Sequence, residues 1–142
     1  MRRKAVIRVT SKLLMAPIML FALYVQFHGD FGPGGGFQAG VIFASAFILY
    51  ALLFGVAKAR RAAPAGVVRA VLALGLLLYA GVGVAAMFMG GNYLDYSALS
   101  ADPVAGQHLG ILLIEFGVGM TVAASMVTIF FIFASGGESA EE

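Results

Sequence analysis

Four long apolar runs leave this chain few choices of fold. They cover residues 9–27, 37–57, 67–89 and 109–134. At 1.5 Å of rise per residue, each is roughly the length a helix needs to cross a hydrocarbon core about 30 Å thick, the first being short. Charged residues make up 11% of the chain, against about a quarter in soluble domains, and mean hydropathy is +0.97. The expectation is an all-α membrane protein of four transmembrane helices, forming one domain over residues 1–135 with a short acidic tail at 136–142. Pro17 should bend the first span, and the stem of Lys12 is long enough to carry its charge back to the headgroups. Basic residues followed by an apolar stretch also suggest a signal peptide, but no small-residue cleavage site follows Phe27, so the segment reads as a span.

The charges set an orientation. Arg2, Arg3, Lys4, Arg8 and Lys12 lie at the start of the first run, and Lys58, Arg60, Arg61 and Arg69 lie between the second and third. All nine Lys and Arg residues therefore fall on one side, which by the positive-inside rule places both termini in the cytoplasm. The pI near 9.2 then reflects topology, and nucleic acid is not an expected partner. Asp30, Asp95 and Asp102 fall in the two outer loops, whereas Glu138, Glu141 and Glu142 sit in a Gly/Ser-flanked tail expected to be disordered. In the second outer loop Tyr93 and Tyr96 suit headgroup depth, and Asp102-Pro103 reads as a helix N-cap followed by proline at the first helical position.

Few residues offer chemistry. With no cysteine and two histidines, neither a disulfide nor a zinc site is expected, no cofactor is implied, and no nucleophile–base constellation supports an enzyme. Glu115 is the one acid inside a span, six residues past Leu109 and so about 9 Å into the apolar zone. Acids at such depth usually face a partner, a cavity or an ion path. A buried Glu115 carboxylate on an ion or proton pathway is therefore expected, with a hydrogen bond that glues helices together as the alternative. His108, seven residues earlier and on nearly the same helix face, is the companion candidate, since imidazole is well suited to pass protons at a membrane surface.

The stretch HGDFGPGGGFQAG, residues 28–40, interrupts the hydrocarbon with glycines. A phosphate-binding loop would need Gly-Lys-Ser/Thr at its end, and a plain turn needs fewer glycines. A sharp re-entry, closed by Pro33 and using Gly34, Gly35 and Gly36 to start the second span hard against a neighbour, fits better, with Gly36 and Gly40 spaced as a small-xxx-small contact. Gly117, Gly119, Ala123 and Ala124 on the fourth run, and Gly75, Ala80, Gly81 and Gly83 on the third, read as packing positions.

Gly29, Pro33, Gly34, Gly35, Gly36, Phe37 and Gly40, with VIFASAFILYALLFG after them and GQHLGILLIEFGVGMTV later, resemble the B subunit of the multisubunit cation/proton antiporters called Mrp or Mnh. The resemblance covers nearly the whole chain apart from the tail, and departs at Gln38-Ala39, where members more often carry an apolar residue and a second glycine. It implies a multi-pass subunit of a prokaryotic plasma-membrane complex that exchanges cytoplasmic sodium for external protons. It also implies partners that include large subunits like the membrane subunits of respiratory complex I. Related B-like subunits occur in membrane-bound hydrogenase-type complexes, so a structural assembly role in either setting is the alternative. Antiport by this chain alone is not expected: Glu115, Gln107, Thr121 and Ser125 lie on different turns and make a poor sodium cage.

Overall fold

A computed structural model of the chain describes the backbone of residues 2–29 and 32–138 and the side chains of 5–29 and 32–135. The described residues form helices α1 (Arg2–Phe27), α2 (Gly36–Phe54), α3 (Val56–Ala62), α4 (Ala65–Phe88) and α5 (Pro103–Glu138), with one 3-10 turn at Tyr96–Leu99. Four stretches are long and apolar enough to cross a membrane: Ala5–Phe27, Gly36–Phe54, Ala65–Phe88 and Pro103–Ser135. Most of the acidic tail, residues 139–142, and Asp30 of the first loop lie outside the described residues.

Local chemistry explains the boundaries. Helix α1 runs unbroken through Pro17. Helix α2 stops short of the end of its apolar run because Gly55 takes φ 95°, a left-handed conformation that only glycine adopts without strain. The short α3 follows, and Pro64 in extended backbone starts α4. Helix α5 begins well before its apolar run: the Asp102 carboxylate accepts from Val104 N–H at 3.1 Å, as the Asp-Pro pair predicts. At 36 residues α5 is about 54 Å long, so its first turns lie beyond a ~30 Å hydrocarbon core.

Helix α5 is the centre of the bundle, lying between α2 and α4, while α1 packs on α2 and only brushes α5. The register of two glycines produces this. Gly117 and Gly119 are two residues apart, about 200° around a helix, and so face opposite ways. On one side the α5 and α4 backbones nearly touch: a Cβ built on Gly75 would stand 2.7 Å from the Gly117 carbonyl, and one on Gly117 2.8 Å from the Gly75 carbonyl. On the other, a Cβ on Gly40 would stand 2.7 Å from the Gly119 carbonyl. Between apolar helices in lipid there is no hydrophobic drive, so close backbone approach of this kind supplies the attraction. The core accordingly contains small side chains, with Ala44, Ala51, Ala59 and Ala124 almost fully buried, while Leu20, Leu77, Phe88 and Phe133 face outward.

The two ends of the bundle differ in chemistry. At one, the Lys12 ammonium lies 5.3 Å from the centre of the Phe54 ring, and Arg60 stacks on Phe131 while its Nη2 donates to the Phe131 carbonyl at 3.2 Å. At the other, Tyr93 lies against Gly83 and Tyr96 against Gly110, each so close that a Cβ would overlap the ring. Partial burial, with Tyr79 and Tyr93 nearby, raises the Tyr96 phenol above its usual 10.0, so it remains a neutral hydrogen-bonding group at physiological pH.

Gly75→Ala and Gly81→Ala make the same chemical change on the same helix. The first should destabilise the subunit by about 1–3 kcal/mol through backbone collision. The second, with nothing within 4 Å, should be neutral or stabilise by up to ~1 kcal/mol. Thermal denaturation in detergent, followed by size exclusion, reads both; equal melting would contradict the packing described.

Candidate functional site

The loop between α1 and α2 and the middle of α5 meet around one carboxylate. The main chain of Gly35 takes φ 120° and its N–H donates to the Val25 carbonyl at 3.2 Å, which folds the loop back over the end of α1. From there α2 starts directly on α5: a Cβ on Gly36 would overlap the Glu115 carbonyl. The Glu115 side chain lies in the space the loop glycines leave. A Cβ on Gly29 would stand 2.6 Å from its Oε2, and one on Gly35 3.0 Å from its Oε1. The carboxylate is thus held beside the first turn of α2, where unpaired N–H groups and the helix dipole favour an anion. Gln38 joins this corner, its Oε1 lying 3.4 Å from that same point on Gly35.

The expected buried carboxylate is not what forms. Glu115 is only half-buried, and among the described residues no Asp, Glu, Lys, Arg or His is buried. The reason is physical. Hydropathy reports how deep a residue lies in the apolar zone, whereas burial depends on which side chains cover it, and Gly29 and Gly35 have none to offer. Among the described residues the buried polar side chains are Ser11 and Gln26.

His108 is exposed on the first turns of α5. Seven residues of helical rise separate it from Glu115 by about 10 Å, so it lies outside the glycine cradle. Pro33 and Phe37 face outward, whereas Gly35, Gly36 and Gly40 are buried at contacts no side chain would fit. Among the described residues no group of three or more His, Asp and Glu could hold a metal ion.

Sequence reasoning missed Gln26. It is 4% exposed, its Oε1 lies where a Cβ on Gly119 would stand only 2.5 Å away, and its Nε2 has no hydrogen-bond partner. A single amide in an apolar run, two residues before the glycine loop begins, was the available signal. The role of Gly29 beside Glu115 was equally hidden, because the two are far apart in sequence.

A family described as "Domain related to MnhB subunit of Na+/H+ antiporter" matches residues 6–128. Proteins named putative antiporter subunit mnhB2, from Staphylococcus aureus strains Newman and JH1, are each 36% identical over 137 residues. The match covers 94% of this chain and 96% of theirs.

Gly36→Ala should cost about 1–3 kcal/mol, because its neighbour is rigid backbone. Gly29→Ala meets only the end of a flexible side chain and should cost less. Its cost should vanish in a Glu115→Ala background, since the two residues contact each other. Melting temperatures of the four variants test this; a Gly29→Ala effect independent of Glu115 would remove the cradle.

Proposed function

We propose that this chain, which belongs to the MnhB-related family of Na+/H+ antiporter subunits, is a small accessory subunit of a multisubunit monovalent-cation/proton antiporter. It is a multi-pass protein of the prokaryotic plasma membrane and assembles with other Mrp/Mnh antiporter subunits; it is not an enzyme. In our reading the partners include large complex I-like subunits, the ions are sodium and protons, and residues 1–135 form one membrane domain. Both termini face the cytoplasm. Supporting that orientation, Lys12 and Arg60 sit at one end of the bundle and the glycine loop and Tyr96 at the other.

The observation that carries the reading is the half-buried Glu115 carboxylate, held by Gly29 and Gly35 but not enclosed by them. A group held on one side and accessible on the other is available to ions and to a neighbouring subunit. In this proposal Glu115 and the exposed His108 lie along an ion or proton route at the surface of the subunit, His108 about 10 Å nearer the outside. The chain supplies one titratable carboxylate in its spans, so the remaining ligands come from its partners.

The same cradle also favours a second reading, in which the carboxylate simply ties the outer loop to α5 for assembly. Glu115→Gln separates the two, because it keeps the shape and one acceptor oxygen but removes the charge. On the transport reading, antiport in reconstituted vesicles falls at least about tenfold, the equivalent of ~1.4 kcal/mol, while native gels show an intact complex. Unchanged antiport with an intact complex would contradict it and leave the assembly role.

A further inference from the structure

Where α2 ends, the bundle leaves an open groove. One wall is Leu52, Gly55 and Val56, the other Phe130, Phe133 and Ala134 of α5, and its volume is about 580 Å³. It exists because Gly55 ends α2 and carries no side chain: a Cβ there would meet nothing within 4 Å. Two of the apolar spans end at Phe54 and at Ser135, so the groove straddles the boundary between hydrocarbon and headgroups. Leu52 and Phe133, which rim it, are 69% and 77% exposed and so face the surrounding acyl chains.

Positive charge stands beside this groove. Arg60 lies one turn along α3 from Val56, and its guanidinium is held over the ring of Phe131, the neighbour of Phe130 in the opposite wall. The Phe131 carbonyl accepts from Nη2, which fixes the group in place and leaves its other N–H donors for a ligand. Lys58 and Arg61 on the same short helix are exposed. Among the described side chains the acids are Asp95, Asp102 and Glu115, which lie toward the other end of the bundle, so none of them neutralises this cluster.

An occupant must match both the apolar walls and the charge. Water does not: the volume is many times the ~30 Å³ of one molecule, and the lining side chains offer it no polar partner. A zwitterionic lipid fills the walls with its chain but brings an ammonium toward Arg60. An anionic phospholipid brings the same chain and a phosphodiester of net negative charge, which a guanidinium binds through paired N–H groups. Basic pockets between membrane helices take headgroups of this kind.

We propose that this groove is the site of one anionic phospholipid, with an acyl chain between Val56 and Phe133 and the phosphodiester on Arg60. Lys58 and Arg61 strengthen the positive field around the headgroup. The inference goes beyond the antiporter reading and does not depend on it.

The full chain, in its membrane complex, is placed in phosphatidylcholine vesicles with a trace of phosphatidylglycerol that bears a diazirine in its acyl chain, or of phosphatidylcholine bearing the same chain. After illumination, mass spectrometry maps the labelled peptides of this chain. The phosphatidylglycerol probe should label residues 52–56 and 130–134 at least about fivefold more than the phosphatidylcholine probe. Arg60→Gln, which keeps a donor for the Phe131 carbonyl, should remove most of that preference while phosphatidylcholine labelling stays as it was. Arg69→Gln removes a charge from α4, which lines no part of the groove, and should leave the preference intact. Ala134→Phe, which fills the groove and touches no charge, should abolish labelling there by both probes. Equal labelling by the two probes, a loss in Arg69→Gln as large as in Arg60→Gln, or labelling that survives Ala134→Phe would each overturn the proposal. So would labelling that appears only after residues 136–142 are deleted, which would make the acidic tail the occupant, or none with or without them, which would put another subunit there.

Discussion

Backbone-to-backbone contact through glycine on both sides of α5 is the constraint on which the rest of this molecule depends. In a bilayer, apolar side chains gain nothing by leaving lipid for one another, so helices associate where their surfaces fit closely. Gly75 and Gly117 provide that fit toward α4; Gly36, Gly40 and Gly119 provide it toward α2. Because Gly117 and Gly119 face opposite ways, one helix joins both neighbours, and α1 is left to pack on α2.

The position of the Glu115 carboxylate follows from this packing. Glu115 lies one turn before Gly119, on the side of α5 that meets the start of α2. Once Gly36 rests on the Glu115 main chain, the loop before it must pass over the side chain, and only glycines leave room for two carboxylate oxygens there. The same absence of side chains leaves the carboxylate partly open. Tight helix packing and an accessible acid thus have one cause. The amide of Gln26, buried and with no partner on its Nε2, lies beside Gly119 one turn further along α5.

Much of the fold was legible because its determinants are local. The apolar runs marked out helices, Asp102-Pro103 marked the start of α5, and the glycine cluster marked a close re-entry. Gly55 was not anticipated as the end of α2, since one glycine inside an apolar run looks like a packing position until its φ is known. The site was only half legible. Glu115 stood out as a solitary acid, but its burial was misjudged, because depth in the apolar zone says nothing about what covers a side chain. The partners that hold it, Gly29 and Gly35, are more than half the chain away in sequence, and so is Gly119 from the Gln26 that it accommodates. Such contacts depend on how three helices are set against one another, which periodicity along one helix does not encode.

The central claim is that helix packing brings the glycine loop between α1 and α2 onto the Glu115 carboxylate. Solid-state NMR of the assembled complex in lipid, with carbon-13 in glutamate carboxyls and glycine α-carbons, measures that contact directly. The account predicts a through-space correlation from the Glu115 carboxyl to the Gly29 and Gly35 α-carbons that disappears in Glu115→Gln. A wild-type spectrum in which that carboxyl correlates with no loop glycine would contradict it.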